Sequence, residues 1–349
     1  MRAATFHAPG DIRIENVPDS KLQQPTDAIV RITHACICGS DLWFYRGIQA
    51  YEPGWRTGHE WMGIVEEVGS DVKTVKKGDR VLAPFAFSDG SCEFCHDGLQ
   101  TSCLHGGFWG AKNDGGQAEA IRAPYADATL VVLPESVGGD DKLLTAILPL
   151  TDVMGTGYHA ALSAGVRAGS TVAVVGDGAV GLCGVIAAKM LGAERIIILG
   201  HHQTRLDLAR KFGATDVVTE RDEAANAHVK ELTKGGAPHV LECVGSKSAM
   251  DTAIAIARPG GTIGFVGVPH GSSEGFNLGG LFRNNISLKG GVAPVRSYIP
   301  QLLEATIAGK INAAPVLDLT VDLDGVPQGY AAMDDSRFER LLCLRQATT

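Results

Sequence analysis

Charge is scarce in this chain. Only 20% of its 349 residues are charged, and aromatic residues make up 6%. The charge present runs negative, 31 Lys and Arg against 39 Asp and Glu, for a formal net charge of −8. There is no basic run. Such a surface is a poor match for a phosphate backbone, so nucleic-acid binding is not expected. Repeats and low-complexity tracts are absent, and 45% apolar content excludes disorder as the main state. Long hydrophobic runs are missing as well. The most apolar stretch, 172–191, is broken by Asp177, Lys189 and several glycines, which makes it a poor membrane span. Met1-Arg2-Ala3-Ala4-Thr5-Phe6 lacks the apolar core of a secretory leader. A cytoplasmic protein without a membrane partner is therefore expected. In that reducing compartment its eight cysteines should be thiols or metal ligands.

Glycine, by contrast, is abundant at 44 residues and follows no period, which points to tight turns and close backbone approaches. The length suits about two domains. The first 150 residues read as short strands, such as 28–33 and 63–69, with a turn into a further strand at 77–82. From residue 170 the pattern changes. Strands at 171–175, 195–199, 216–218, 239–243 and 262–266, with a further piece at 286–289, alternate with helical segments at 180–191, 204–212 and 222–233. That alternation predicts a parallel sheet with crossover helices. After about residue 292 the pattern changes again, with helical spacing over 298–308. The expected arrangement is an α/β chain in which a parallel-sheet domain is followed by, or inserted in, a domain built from both chain ends.

The apolar strand Val172-Ala173-Val174-Val175 runs into Gly176-Asp177-Gly178-Ala179-Val180-Gly181 and then a helix. This is G-x-G-x-x-G in the context that gives it meaning. Gly176 allows the turn, Gly178 lets backbone approach a pyrophosphate, and Gly181 lets helix and strand pack closely. Ala179 and Val180 open the helix, whose free N–H groups favour an anion. The next strand, Ile196-Ile197-Ile198-Leu199, ends in Gly200-His201-His202-Gln203-Thr204-Arg205. An NAD site usually has Asp or Glu there, on the ribose 2′-hydroxyl. Gly200 leaves room for a 2′-phosphate, and Arg205 with His201 or His202 offers cations to bind it. NADP(H) is therefore favoured, with NAD(H) possible.

Two groups of soft ligands stand in the loop-rich half. Cys38-Gly39-Ser40-Asp41 and Gly58-His59-Glu60 offer a thiolate, an imidazole and a carboxylate suited to Zn²⁺, and Asp152 offers a further donor. Asp89, Cys92, Cys95 and Cys103 form the second group. Three cysteines at these gaps are a strong metal signal, and Asp89 completes a tetrahedron.

Taken in this order, Cys38-Gly39-Ser40-Asp41, Gly58-His59-Glu60, the cysteine lobe, Asp152 and the Gly176 turn resemble the zinc-dependent medium-chain alcohol dehydrogenases along essentially the whole chain. The resemblance implies a GroES-like β-rich catalytic domain, residues 1–153 and 293–349, around an inserted Rossmann domain, residues 154–292. It also implies a catalytic zinc held by Cys38, His59 and Asp152, with Glu60 as a nearby or exchangeable ligand and Asp41 holding the His59 ring. Thr156 matches a threonine that packs on the nicotinamide. Asp89 stands in the first slot of a structural zinc lobe that has four cysteines in the family. Trp43 replaces a histidine that, in some relatives, passes a proton to solvent.

A three-ligand zinc leaves one position for substrate, and Ser40 is the hydroxyl that would accept or relay the alcohol proton. Trp43, Phe87 and Trp109 are candidates for an apolar substrate pocket. No Arg cluster for a carboxylate or phosphate is evident, so the expected substrate is a neutral primary or secondary alcohol, aldehyde or ketone. An NAD(H)-dependent polyol or amino-alcohol dehydrogenase is the alternative enzyme. A non-catalytic nucleotide-binding protein is the alternative class, and the joint presence of Cys38, Ser40, His59 and Asp152 argues against it. By resemblance, a homodimer or homotetramer is expected, paired through the edge strand at 285–289.

Overall fold

The computed structural model describes residues 1–269, 277–335 and 341–345, the last five as backbone only. The chain forms two compact units, Met1–Asp152 with Pro294–Thr349, and Val153–Ala293.

The first unit is built on a seven-stranded sheet. Its order is Leu317–Val321, Leu341–Arg345, Ala28–Ile37, Trp61–Val68, Arg80–Ala83 and Val131–Val132, and Ala120–Ala123 also pairs with Ala28–Ile37. Ala28–Ile37 is the backbone of this unit: eight of its ten residues are β-branched, apolar or both by type, and nine of the ten are buried. Its antiparallel pairing with Trp61–Val68 sets Ala35 opposite Trp61, with register shifts at Ile29/Val30 and Ile32/His34. The core packs Ile32, Trp61, Val81, Ile121 and Tyr330 together.

Six parallel strands make the sheet of the second unit, in the order Asp216–Val218, Arg195–Leu199, Thr171–Val175, Ala237–Glu242, Ala257–Phe265, Ser287–Gly290. The order reverses direction at Thr171–Val175, the place where open α/β sheets present a crevice for a ligand. Val172, Ala173, Val174 and Val175 are all buried, as a central parallel strand covered on both faces requires. Helices Ala179–Met190, Gln203–Phe212, Asp222–Thr233 and Lys247–Ile256 connect the strands. The α/β fold with a Rossmann-like sheet is thus the one expected. Its two edge strands are Asp216–Val218 and Ser287–Gly290, the latter starting two residues and ending one residue later than the 285–289 segment suggested by sequence alone. Among the described residues no helix is long and apolar enough to cross a membrane.

Phe87 and Trp109 belong to the packed core. Trp109 lies 5.1 Å from both Trp61 and Phe87, ring to ring, and its indole N–H donates to the Pro84 carbonyl at 2.7 Å. Packing and hydrogen bonding account for both residues without a substrate.

Helix and strand approach very closely within the second unit. A Cβ built on Gly264 would lie 2.0 Å from the Ala160 carbonyl oxygen of helix Val153–Ser163. Gly264→Ala is expected to destabilise the protein by about 1–3 kcal/mol through this backbone clash. An unchanged thermal unfolding midpoint in calorimetry would contradict the close approach.

Candidate active site

Antiparallel register brings the first ligand group together. Cys38 follows Ala28–Ile37 directly, and His59 and Glu60 immediately precede Trp61–Val68. The Cys36 amide donates to the Glu60 carbonyl at 3.0 Å, closing the ladder at that end. Asp152 arrives from a short 3₁₀ turn, Leu148–Thr151, whose Thr151 carbonyl accepts from the Phe85 amide at 2.9 Å. Donor atoms of Cys38, His59, Glu60 and Asp152 all lie within 4.8 Å of one another. The His59 Nε2 is 3.3 Å from Asp152 Oδ2, and the Cys38 Sγ is 4.0 Å from the same oxygen.

Asp41 ties this group to the backbone. Its Oδ2 accepts from the Cys38 amide at 3.0 Å, and its Oδ1 lies 3.2 Å from His59 Nδ1. A carboxylate on Nδ1 favours the tautomer that leaves Nε2 its lone pair, the arrangement that metal-binding histidines use.

The electrostatics call for a cation. Burial, helped by Glu60, pushes the Cys38 thiol up to about 12. Burial and then Asp152 raise Glu60 to about 8. Burial alone would lower the His59 imidazole, but Asp41, Asp152 and Cys38 carry it well above its usual value. Glu60 is fully buried, and its Oε1 has no hydrogen-bond partner among the described residues. Its other oxygen is 3.1 Å from the Thr151 hydroxyl. Buried anions crowded in this way are costly unless a positive charge compensates them, and thiolate, imidazole and carboxylate are zinc donors. The donor set fits a zinc ion.

Ser40 sits at the start of the short helix Asp41–Tyr45 in helical backbone conformation, and its side chain makes no capping hydrogen bond. Trp43 lies on the same helix and is half-buried.

The second ligand group folds around Asp89. Its Oδ1 accepts from the Ser91 and Cys92 amides at 2.8 and 3.1 Å and lies 3.4 Å from Cys95 Sγ. The Asp89 amide in turn points at Cys103 Sγ, 3.3 Å away. Donor atoms of Asp89, Cys92, Cys95 and Cys103 also lie within 4.8 Å of one another. Burial opposes ionisation of Asp89, but hydrogen bonds from His105, Ser91 and Cys92 outweigh it and hold the carboxyl well below its usual range. His105, whose Nδ1 is 2.6 Å from Asp89 Oδ2, was not anticipated from sequence, although it stands two residues after Cys103. The set fits zinc as well: three thiol donors and an ionised oxygen.

In the second unit the glycine turn has the shape that a dinucleotide requires. Gly176 has φ +108°, which favours glycine, and a Cβ on Gly181 would lie 2.0 Å from the Gly176 carbonyl oxygen. Around Gly178 there is open space, and it caps helix Ala179–Met190, so Ala179 and Val180 stand in the first turn as expected. Thr156 is buried on helix Val153–Ser163.

One premise of the sequence reading fails here. A carboxylate does stand at the end of strand Arg195–Leu199; it comes from Asp177, within the glycine turn. A Cβ on Gly200 would lie 2.4 Å from Asp177 Cβ and 2.5 Å from its Oδ2, so the space is filled. His202 and Arg205 both face this carboxylate, while His201 is exposed with its Nδ1 3.2 Å from the Thr219 carbonyl oxygen. Sequence reasoning passed over Asp177 because it occupies an unspecified position of the glycine pattern.

Comparison with known proteins places the chain in a family. The pattern of the alcohol dehydrogenase GroES-like domain matches residues 24–135, and that of zinc-binding dehydrogenases matches residues 179–308. The chain is 35% identical to the uncharacterized zinc-type alcohol dehydrogenase-like protein AdhB of Bacillus subtilis, over 96% of this chain and 97% of that one. It is also 35% identical to zinc-type alcohol dehydrogenase B of Aspergillus flavus, over 98% of this chain and 81% of that one. Among solved structures, alcohol dehydrogenase TADH from Thermus sp. ATN1 superposes with a TM-score of 0.91 at 31% identity, covering 99% of each chain.

Elemental analysis should find two zinc ions per chain. Cys95→Ser should lose one of them and lower thermal stability. A single zinc in active wild-type protein would rule out a site at Asp89.

Proposed function

This chain belongs to the zinc-dependent medium-chain alcohol dehydrogenase family, and we propose that it interconverts small neutral alcohols with their aldehydes or ketones. The observation that carries this reading is the convergence of Cys38, His59, Glu60 and Asp152, with Asp41 behind His59. When bound, zinc supplies a Lewis acid for the substrate oxygen, and the nicotinamide supplies or accepts hydride.

The chain's own residues would do the rest. Cys38, His59 and Asp152 hold the metal. As two anions and one neutral imidazole they would balance a divalent charge. Glu60, buried with one oxygen unpartnered among the described residues, is near enough to exchange with a ligand. Asp41 keeps the His59 ring oriented and its lone pair available. Ser40, two residues after Cys38, takes the substrate proton as a relay. The Trp43 indole N–H can only donate a hydrogen bond and cannot take up a proton, so the onward path runs through water or another group.

The arginines of these loops are already committed, which supports a neutral substrate. Arg46 pairs with Asp334 at 2.6 Å and Arg56 with Asp114 at 2.8 Å. An NAD(H)-linked dehydrogenase acting on polyols or amino-alcohols is the other enzymatic reading. The parallel edge strand Ser287–Gly290 supports assembly as a homodimer or homotetramer by strand pairing. A monomer in light scattering at micromolar concentration would refute that.

A panel of alcohols and aldehydes, run with both dinucleotides before and after metal removal, tests the whole reading. Cys38→Ser should abolish turnover while dinucleotide binding remains measurable; substantial residual activity sinks the metal assignment. Ser40→Ala should lower kcat by roughly 10²–10⁴-fold with zinc content unchanged, and an unaltered kcat removes Ser40 from the proton path.

A further inference from the structure

We propose that Asp177, reaching out of the glycine turn, is the residue that selects the dinucleotide, and that it selects NAD(H) over NADP(H). This rests on the dehydrogenase reading above and replaces the sequence expectation of NADP(H).

Strand Arg195–Leu199 ends without an acidic side chain, and Gly200 follows it. Glycine is needed there for space. Any Cβ at that position would collide with the Asp177 side chain, whose Cβ, Cγ and Oδ2 lie 2.4–2.6 Å from it. The carboxylate thus occupies the volume in which a 2′-phosphate was expected.

The donors of the following loop have turned toward that carboxylate. Asp177 Oδ2 accepts from the His201 amide at 2.8 Å and the His202 amide at 2.9 Å, with His202 Nδ1 at 3.0 Å. Arg205 Nη1 stands 3.6 Å from Oδ1. These two amides, an imidazole and a guanidinium are the groups that an incoming phosphate would need. An internal anion already uses them. Asp177 is also firmly ionised: burial opposes its charge, but the His202 and His201 amides prevail and hold its carboxyl below the usual value.

Two consequences follow for the ligand. A 2′-phosphate carries close to two negative charges at neutral pH and would meet a fixed carboxylate whose balancing cation is already paired. A ribose 2′-hydroxyl is a neutral donor. It suits Oδ1, whose contacts with His202 and Arg205 are the longer ones, 3.2 and 3.6 Å, so that acceptor capacity remains. Asp177 would therefore do from the glycine turn what an acidic residue at the strand end does elsewhere.

Equilibrium binding separates this proposal from its opposite, in which Asp177 merely orients His202 and Arg205 to grip a phosphate. The probes are NAD⁺ and NADP⁺, with 5′-AMP and 2′,5′-ADP as fragments that report the adenosine end without the nicotinamide, all titrated by calorimetry. Wild-type protein should bind NAD⁺ and 5′-AMP at least about tenfold tighter than their 2′-phosphorylated counterparts. Asp177→Ala and Asp177→Asn should tighten NADP⁺ and 2′,5′-ADP while weakening NAD⁺, moving the ratio by roughly 10- to 100-fold. Tighter binding of NADP⁺ by wild type, or loss of NADP⁺ affinity in either variant, overturns the proposal. The wild-type ratio decides the matter even if the variants do not fold. Binding of neither dinucleotide by wild type would instead overturn the dehydrogenase reading on which the proposal rests.

Discussion

The pairing of Ala28–Ile37 with Trp61–Val68 is the constraint on which the candidate metal site depends. The candidate ligands at position 38 and at positions 59 and 60 are about twenty residues apart in sequence, and antiparallel register brings them to one end of the sheet. Side chains alternate faces along a strand, so a slip of one residue would carry one set of ligands to the opposite face. The Cys36 amide on the Glu60 carbonyl and the Asp41 carboxylate on the Cys38 amide fix that end of the ladder. Asp152 can then complete the group from a short turn, because the scaffold it meets is already rigid.

This explains which features were readable from the chain. Cys92, Cys95 and Cys103 lie within a dozen residues, so spacing alone announces a metal. The glycine turn is as compact, and its strand and helix neighbours announce themselves by their apolar runs. Asp152, over ninety residues from His59, was only one possible further donor until resemblance to a family grouped it with Cys38 and His59, and no periodicity could have linked them. Sequence alone left Phe87 and Trp109 open between packing and a substrate pocket, because an aromatic residue between short strands looks the same in either role. His105 was legible in principle, two residues after Cys103, but its meaning depends on a contact with Asp89 that only folding creates.

Asp177 is the instructive failure. Its partners His201 and His202 are 24 and 25 residues further on and belong to the next βα loop. A rule that looks for a carboxylate at the end of the second strand examines position 200, finds glycine and infers space. Glycine is indeed required there, since nothing larger fits, but the space it leaves is already taken. What fills the space comes from the neighbouring strand's loop, and parallel pairing of Val175 with Leu199 brings the two loops side by side.

Asp41, Asp89 and Asp177 share one physical design. Each carboxylate is anchored by backbone amides: Cys38 for the first, Ser91 and Cys92 for the second, His201 and His202 for the third. Amide donors stabilise the ionised form and also fix the position of the group, which a bond to a flexible side chain does less well. Each aspartate also faces nearby side chains: His59 for the first, the cysteine cluster and His105 for the second, His202 and Arg205 for the third. A metal ligand or a ribose acceptor works only if its charge and position are set before the ligand arrives. In a chain with few charges, anchoring an aspartate on main-chain donors meets both requirements without an additional lysine or arginine.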